Sequence, residues 1–201
     1  MDVTPAAHDP VETLRTLVSA VERRPVLVGI DGQGGAGKST FAHAVAGALA
    51  SACVVEGDDF YRDMDEDARA ALGPAEGVEQ YFDWQRLRRE VFEPVRRGAA
   101  VLRYQRYDWE HATMGSWTEQ PMPGVVIVEG IYTLRPQLVD LLDVTVWVET
   151  PEKTRLQRQL ARGENSGEQI ARWVAAEDHY VASCDPRSVA ALHVEGRDHA
   201  W

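Results

Sequence analysis

One octapeptide constrains this chain more than any other stretch. Gly32-Gln33-Gly34-Gly35-Ala36-Gly37-Lys38-Ser39 fits the spacing G-x-x-x-x-G-K-[ST]. It follows the apolar run VLVGI (Val26 to Ile30) and precedes a helical pattern in which Phe41, Val45 and Leu49 recur every four residues. A run without alternation is what a strand buried on both faces of a parallel sheet requires. Small alanines between the apolar positions let a helix starting at Lys38 lie close against that sheet. The glycines permit torsions closed to other residues, so that successive N–H groups and a helix N-terminus converge on one concavity suited to phosphate oxygens. The segment therefore implies a nucleoside triphosphate site: Gly32, Gln33, Gly34, Gly35, Ala36, Gly37, Lys38, Ser39 and Thr40 cradle the phosphates, Lys38 meets the β- and γ-phosphates, and Ser39 binds Mg²⁺.

The rest of the chain supplies a sheet for that loop. A leading helix is expected from Val11, Leu14, Leu17, Val18 and Val21, ending at Arg23-Arg24-Pro25. Further strands are expected at ACVVE (Ala52 to Glu56), VVIVEG (Val125 to Gly130), VTVWVET (Val144 to Thr150) and, more weakly, ALHVEG (Ala191 to Gly196). Strands alternating with helices predict a right-handed parallel βαβ sheet with ligands at the carboxyl ends of its strands. Arg62 to Trp117 breaks the rhythm, with a helix placing Leu87, Val91 and Val95 on one face and then AVLRYQRYDW and many aromatics. That stretch reads as an inserted, substrate-covering subdomain within a single domain spanning 1–201, whose nucleotide-binding core starts at 25–61.

A chain of 201 residues with 44% hydrophobic content is ample for one α/β core and short for two. The net charge of −11 provides no basic field for nucleic acid or anionic lipid. Its apolar runs fall far short of a bilayer span, and Met1 to Pro10 lacks a signal-peptide layout, so a cytoplasmic protein without membrane or nucleic-acid partners is expected. Cys53 and Cys184 form neither a metal spacing nor a disulfide framework.

Candidate acids and cations flank the loop. EGDDFYR (Glu56 to Arg62) sets two carboxylates just beyond a strand at the sheet's carboxyl edge, where an acid can take the proton of a phosphoryl acceptor. Glu129 closes a buried strand, and a carboxylate there needs a partner; Mg²⁺ is the simplest, a core ion pair the alternative. Arg155, Arg158 and Arg162 fall on one stripe of the helix after VWVET, opposite Leu156 and Leu160, and guanidinium forks suit the charge of a transferring phosphoryl group. Trp84, Tyr104, Tyr107, Trp109 and Trp117 could stack on a planar base or pack in the core.

Together GQGGAGKST, DDFYR, YFDW, RYDWEH, VVIVEGIY and RLQRQLAR resemble, in order and spacing, the uridine kinase family of P-loop nucleoside kinases, over most of the chain. The resemblance implies a three-layer αβα P-loop NTPase fold with a parallel sheet of about five strands, a small inserted substrate-binding subdomain and a helical lid at about 152–183. It implies Asp58 as the catalytic base, Asp83 on the ribose hydroxyls, Tyr107 and His111 on the base, Tyr61 and Arg155 also at the acceptor, and Glu129 with Ser39 on the metal. Lys38 and Arg158 act in catalysis, and Arg155, Arg158 and Arg162 form the lid. Homo-oligomers are common in such a family. The family's lid usually carries an arginine in a G-R-D turn, where this chain has Gly163-Glu164-Asn165.

The expected activity is transfer of the γ-phosphoryl group of ATP to the 5′-hydroxyl of a nucleoside, uridine or cytidine foremost. Nicotinamide riboside, pantothenate, a sugar phosphate or a specialised nucleoside are the other acceptors considered. A non-kinase nucleotide switch is the reading from another class, and no N-K-x-D guanine motif supports it.

Overall fold

In a computed structural model of the chain, which describes residues 9–163 and 165–196, the apolar runs become neighbours in one sheet. The strands are β1 (Val26–Asp31), β2 (Ala52–Glu56), β5 (Val125–Glu129), β6 (Val144–Glu149) and β7 (Leu192–Glu195), in the order β2-β5-β1-β6-β7. Every pairing is parallel, and register brings Ile30 of β1 and Glu56 of β2 to either side of Glu129 at the carboxyl edge. The extreme segments 1–8 and 197–201 lie outside the described residues, as does Glu164 in the lid turn; the expectation for the first ten residues falls largely there.

Alternation through β1 builds the two outer layers. Val26, Val28 and Ile30 join one cluster with Leu14 and Val18 of α1 (Pro10–Ala20) and Phe41 and Val45 of α2 (Lys38–Gly47). Leu27, Val126 and Val128 join a second cluster on the opposite face. Each such fully buried aliphatic side chain contributes on the order of 1.5–3 kcal/mol.

The stretch between β2 and β5 covers this second face. A 3₁₀ turn (Gly57–Phe60), α3 (Glu66–Ala70) and α4 (Pro74–Gln80) lead to α5 (Trp84–Leu87), a π-helical turn (Arg88–Phe92) and α6 (Glu93–Arg96). Leu87, Val91 and Val95 are buried against Val55 and Val126, as their spacing of four predicts. An antiparallel hairpin follows, β3 (Val101–Asp108) with β4 (Thr113–Pro121), whose Leu102 and Tyr104 point into the same cluster. The expected limit of this region at Trp117 thus cuts through β4; the hairpin runs to Pro121 because its pairing does.

Past β5 come α7 (Pro136–Val139), then β6, α8 (Glu152–Arg162) and α9 (Gly167–Cys184). The last is an 18-residue helix whose Ile170, Ala176, Glu177 and Tyr180 are buried. It packs on α4 and spans the carboxyl edge of the sheet, which brings it to the glycine loop. Among the described residues, no helix is long and apolar enough to cross a membrane.

Candidate active site

The glycine loop has the torsions its composition implies. Gly35 sits at φ +77°, and a β-carbon there would lie 2.5 Å from the carbonyl oxygen of Arg155. Gly37 caps α2 at φ +98° and supplies no side chain to the first helical N–H groups, which leaves those donors for an anion. Side chains behind the loop hold it in place. Thr150 Oγ1 donates to the Ala36 carbonyl at 2.9 Å, and the Asp31 carboxylate accepts from Gly32 N at 2.6 Å.

Asp31 is fully buried and also accepts from Leu134 N and the Tyr180 hydroxyl, both at 2.8 Å. Burial pushes its carboxyl up to about 6 despite these donors. It ties the start of the loop to the turn after β5 and to α9. Spacing alone did not identify this anchor, although a carboxylate closing the apolar run VLVGID is a readable signal.

Two candidate carboxylates face the loop from neighbouring strand ends. Glu129, 5% exposed, accepts from Ser39 Oγ at 2.9 Å. Burial raises its carboxyl to about 7; Lys38 and the Ser39 hydroxyl pull it down, while Asp58 and Glu56 push it further up. Asp58 is exposed to the same cavity from the 3₁₀ turn, whereas Asp59 turns inward to Arg106 Nε at 2.9 Å. The two turns touch through glycines, since a β-carbon on Gly57 would lie 3.0 Å from the Glu129 carbonyl oxygen and 3.1 Å from Gly130 Cα. That close approach sets Asp58 beside Glu129.

The stripe of arginines on α8 separates into distinct settings. Arg155 is buried, donating through Nε to the Thr150 carbonyl at 3.1 Å with Nη1 3.9 Å from Glu177, so it braces the loop from behind. Arg158 Nη1 donates to the Gly35 carbonyl at 3.0 Å, and Arg162 lines the cavity. Leu160, on the opposite side, is 60% exposed. Contacts that the spacing did not signal complete the grip. Gln159 Nε2 donates to the Gly34 carbonyl at 3.0 Å, Glu177 accepts from Gly34 N at 2.9 Å, and Asp178 accepts from Gln33 Nε2 at 2.7 Å.

All of this opens on one cavity of about 850 Å³. One end is the loop, with Gly34, Gly35, Gly37, Lys38, Ser39 and Thr40 on its wall; Gln33 is directed to α9 and Ala36 is buried behind. The other end is aromatic, with Tyr61, Phe82, Tyr107, Trp109, Tyr132 and Trp173. Tyr61 stacks on Trp109 at 4.5 Å between ring centroids, and its hydroxyl is buried without a hydrogen-bond partner. Among the described lining residues the cations are Lys38 and Arg162, while Glu56, Asp58, Glu66, Glu110, Glu129 and Glu177 are acidic.

Other residues singled out for the acceptor or for stacking on a base do not line this cavity. Asp83 caps α5, accepting from Arg86 N at 3.0 Å, and lies 3.7 Å from Arg62. His111 stands out from the hairpin turn, 67% exposed, with Nδ1 2.9 Å from Asp108. Tyr104 stacks on Phe60 in the core, and Trp117 lies on the outer hairpin under Arg103. Trp84 lies under the Arg135 guanidinium.

Ser39 and Glu129 offer hydroxyl and carboxylate oxygens, a donor set that suits Mg²⁺ when nucleotide phosphates complete the shell, and the raised Glu129 carboxyl is a buried charge in need of a cation. Among the described residues no group of three or more His, Cys, Asp or Glu could hold a metal by itself.

Known proteins resemble the chain over most of its length. The model of the phosphoribulokinase/uridine kinase family matches residues 27–191. A uridine kinase of Clostridium botulinum is 30% identical over 152 residues, covering 71% of this chain and 71% of its own. One of Lactiplantibacillus plantarum is 29% identical over 150 residues, covering 70% of this chain and 68% of its own. Among solved structures, a possible uridine kinase from Bacillus stearothermophilus superposes with a TM-score of 0.73 at 21% identity, covering 92% of this chain and 97% of its own. That likeness establishes the P-loop kinase fold with its parallel five-stranded sheet. The chain therefore belongs to the phosphoribulokinase/uridine kinase family, and it is a phosphotransferase of the kinase type.

Proposed function

We propose that the chain transfers the γ-phosphoryl group of ATP to the 5′-hydroxyl of a nucleoside, uridine or cytidine foremost. The observation that carries this reading is the division of the cavity into a glycine cup with Lys38 and an aromatic, acid-rimmed end reached by Asp58. An acceptor bearing its own phosphate or carboxylate would meet Glu56 and Glu110 at that end, where Glu66 already engages Arg69 and Arg172 and, among the described residues, no arginine or lysine lines the aromatic wall. A neutral ring on a sugar suits it.

In this mechanism the N–H groups of Gly35 to Ser39 and the Lys38 ammonium hold the triphosphate. Ser39 and Glu129 would hold Mg²⁺, which when bound neutralises phosphate charge. Asp58 accepts the hydroxyl proton as the acceptor oxygen bonds to the γ-phosphorus and the bond to the ADP oxygen breaks. Arg158 and Arg162 offset charge on the transferring group, and the Gly35 contact keeps Arg158 at the loop. Tyr61, Tyr107, Trp109 and Trp173 position the base, and α8 with α9 limits water at the reacting atoms.

The test is an acceptor panel read by ADP release. Uridine or cytidine should support turnover well above ribulose 5-phosphate, pantothenate or water. A clear preference for a phosphorylated or carboxylated acceptor would contradict the reading.

A further inference from the structure

Glu177 occupies a place that a phosphate-binding loop has little reason to offer an acid. It is 5% exposed, it lines the nucleotide end of the cavity, and its Oε2 takes the Gly34 N–H at 2.9 Å. Its compensation is incomplete. The nearest cation, Arg155 Nη1, lies 3.9 Å away and is itself buried with no hydrogen-bond partner. Burial pushes the Glu177 carboxyl above its ordinary value, opposed by the Gly34 amide and then by Lys38, the cation meant for the phosphates, which favours the ionised form. The loop is pinned on both sides of this contact, since Asp178 accepts from Gln33 and Gln159 donates to the Gly34 carbonyl.

We infer that Glu177 is a positioning residue that lowers the nucleotide affinity of the cup. It fixes the Gly34 amide toward α9, removing one donor from the phosphates, and it sets a negative charge against them within reach of Lys38. The device weakens binding in proportion to phosphate charge, so that ADP leaves after transfer. The inference rests on reading the loop as a polyphosphate cup and is independent of which acceptor is used.

Glu177→Gln isolates the charge, because the amide oxygen can still accept from Gly34 N–H. With the purified chain and isothermal titration, Kd for ATP and ADP should fall about tenfold or more in Glu177→Gln. AMP should change less and adenosine not at all, as expected of a buried charge a few ångströms from the phosphates. A purely structural role would shift all four ligands alike or weaken them. Unchanged or weaker ADP binding in the variant, with normal binding by the wild type, overturns the inference alone. Failure of the wild type to bind ADP overturns the cup as well. Should the variant not fold, the wild type decides through its amide spectrum: on adding ADP the Gly37 and Lys38 amides should shift strongly and Gly34 little. A Gly34 shift as large as theirs would show Glu177 displaced and refute its role.

Discussion

Replacing Glu129 by glutamine should make the ligand-free protein more stable while impairing its chemistry. Glu129 is 5% exposed, and burial carries its carboxyl from the ordinary 4.5 to about 7. A group whose folded value is raised binds its proton more tightly in the fold. Its contribution is most favourable below 4.5, falls as pH rises toward 7, and is constant above. At ~1.4 kcal/mol per pH decade, burying Glu129 costs the fold about 3 kcal/mol at pH 8, where it is ionised, and about 1 kcal/mol at pH 5, where folding takes up its proton. Glutamine carries no charge and still offers an oxygen to the Ser39 hydroxyl, so the variant escapes that cost. Urea unfolding in EDTA should therefore show Glu129→Gln more stable by about 2–3 kcal/mol at pH 8, with most of the advantage gone at pH 5. Added Mg²⁺ and ADP should stabilise the wild type more than the variant. A variant no more stable at pH 8, or an advantage independent of pH, would refute the claim that this buried charge awaits a cation.

Tyr180→Phe removes one donor from the buried Asp31 carboxylate, whose carboxyl stands at about 6. The loss should be about 1–3 kcal/mol above pH 6, where Asp31 is ionised, and should shrink as pH falls below that value; chemical denaturation at pH 8 and 5 checks it. Gly35→Ala places a β-carbon 2.5 Å from the Arg155 carbonyl oxygen at φ +77°, so ADP affinity by calorimetry should drop at least about tenfold and stability should fall by about 1–3 kcal/mol. Wild-type ADP affinity in Gly35→Ala would show that the loop geometry is not required.

The central strands were legible because each is a contiguous apolar run buried on both faces, as in Val125–Glu129, while the edge strands Ala52–Glu56 and Leu192–Glu195 are only partly buried. The loop was legible because its spacing carries its own mechanism. Other features depend on packing across the fold. Arg155 shares a stripe with Arg158 and Arg162, yet α9 covers only the first, which turns a would-be phosphate contact into a buried brace. Asp83 and His111 stand out by motif alone, and the sequence does not show the local partners each also has, the Arg86 amide for Asp83 and Asp108 for His111. Asp58 and Asp59 are indistinguishable by type, and the difference between cavity and core comes from Arg106 on a distant strand. Glu177 and Trp173 sit on an amphipathic helix where nothing local marks the loop as their neighbour. The hairpin does carry a signature, Leu102 and Tyr104 inward between the outward Val101 and Arg103, which a count of aromatics obscures.

The central claim is that Asp58 takes the acceptor's proton beside a phosphate cup it does not build. Asp58→Asn measured for both ATP affinity and phosphoryl transfer to uridine tests it most directly. ATP binding in the variant should stay within about threefold of wild type and transfer should fall by at least about a hundredfold, the scale of general-base catalysis. Transfer near the wild-type rate with intact ATP binding would contradict it.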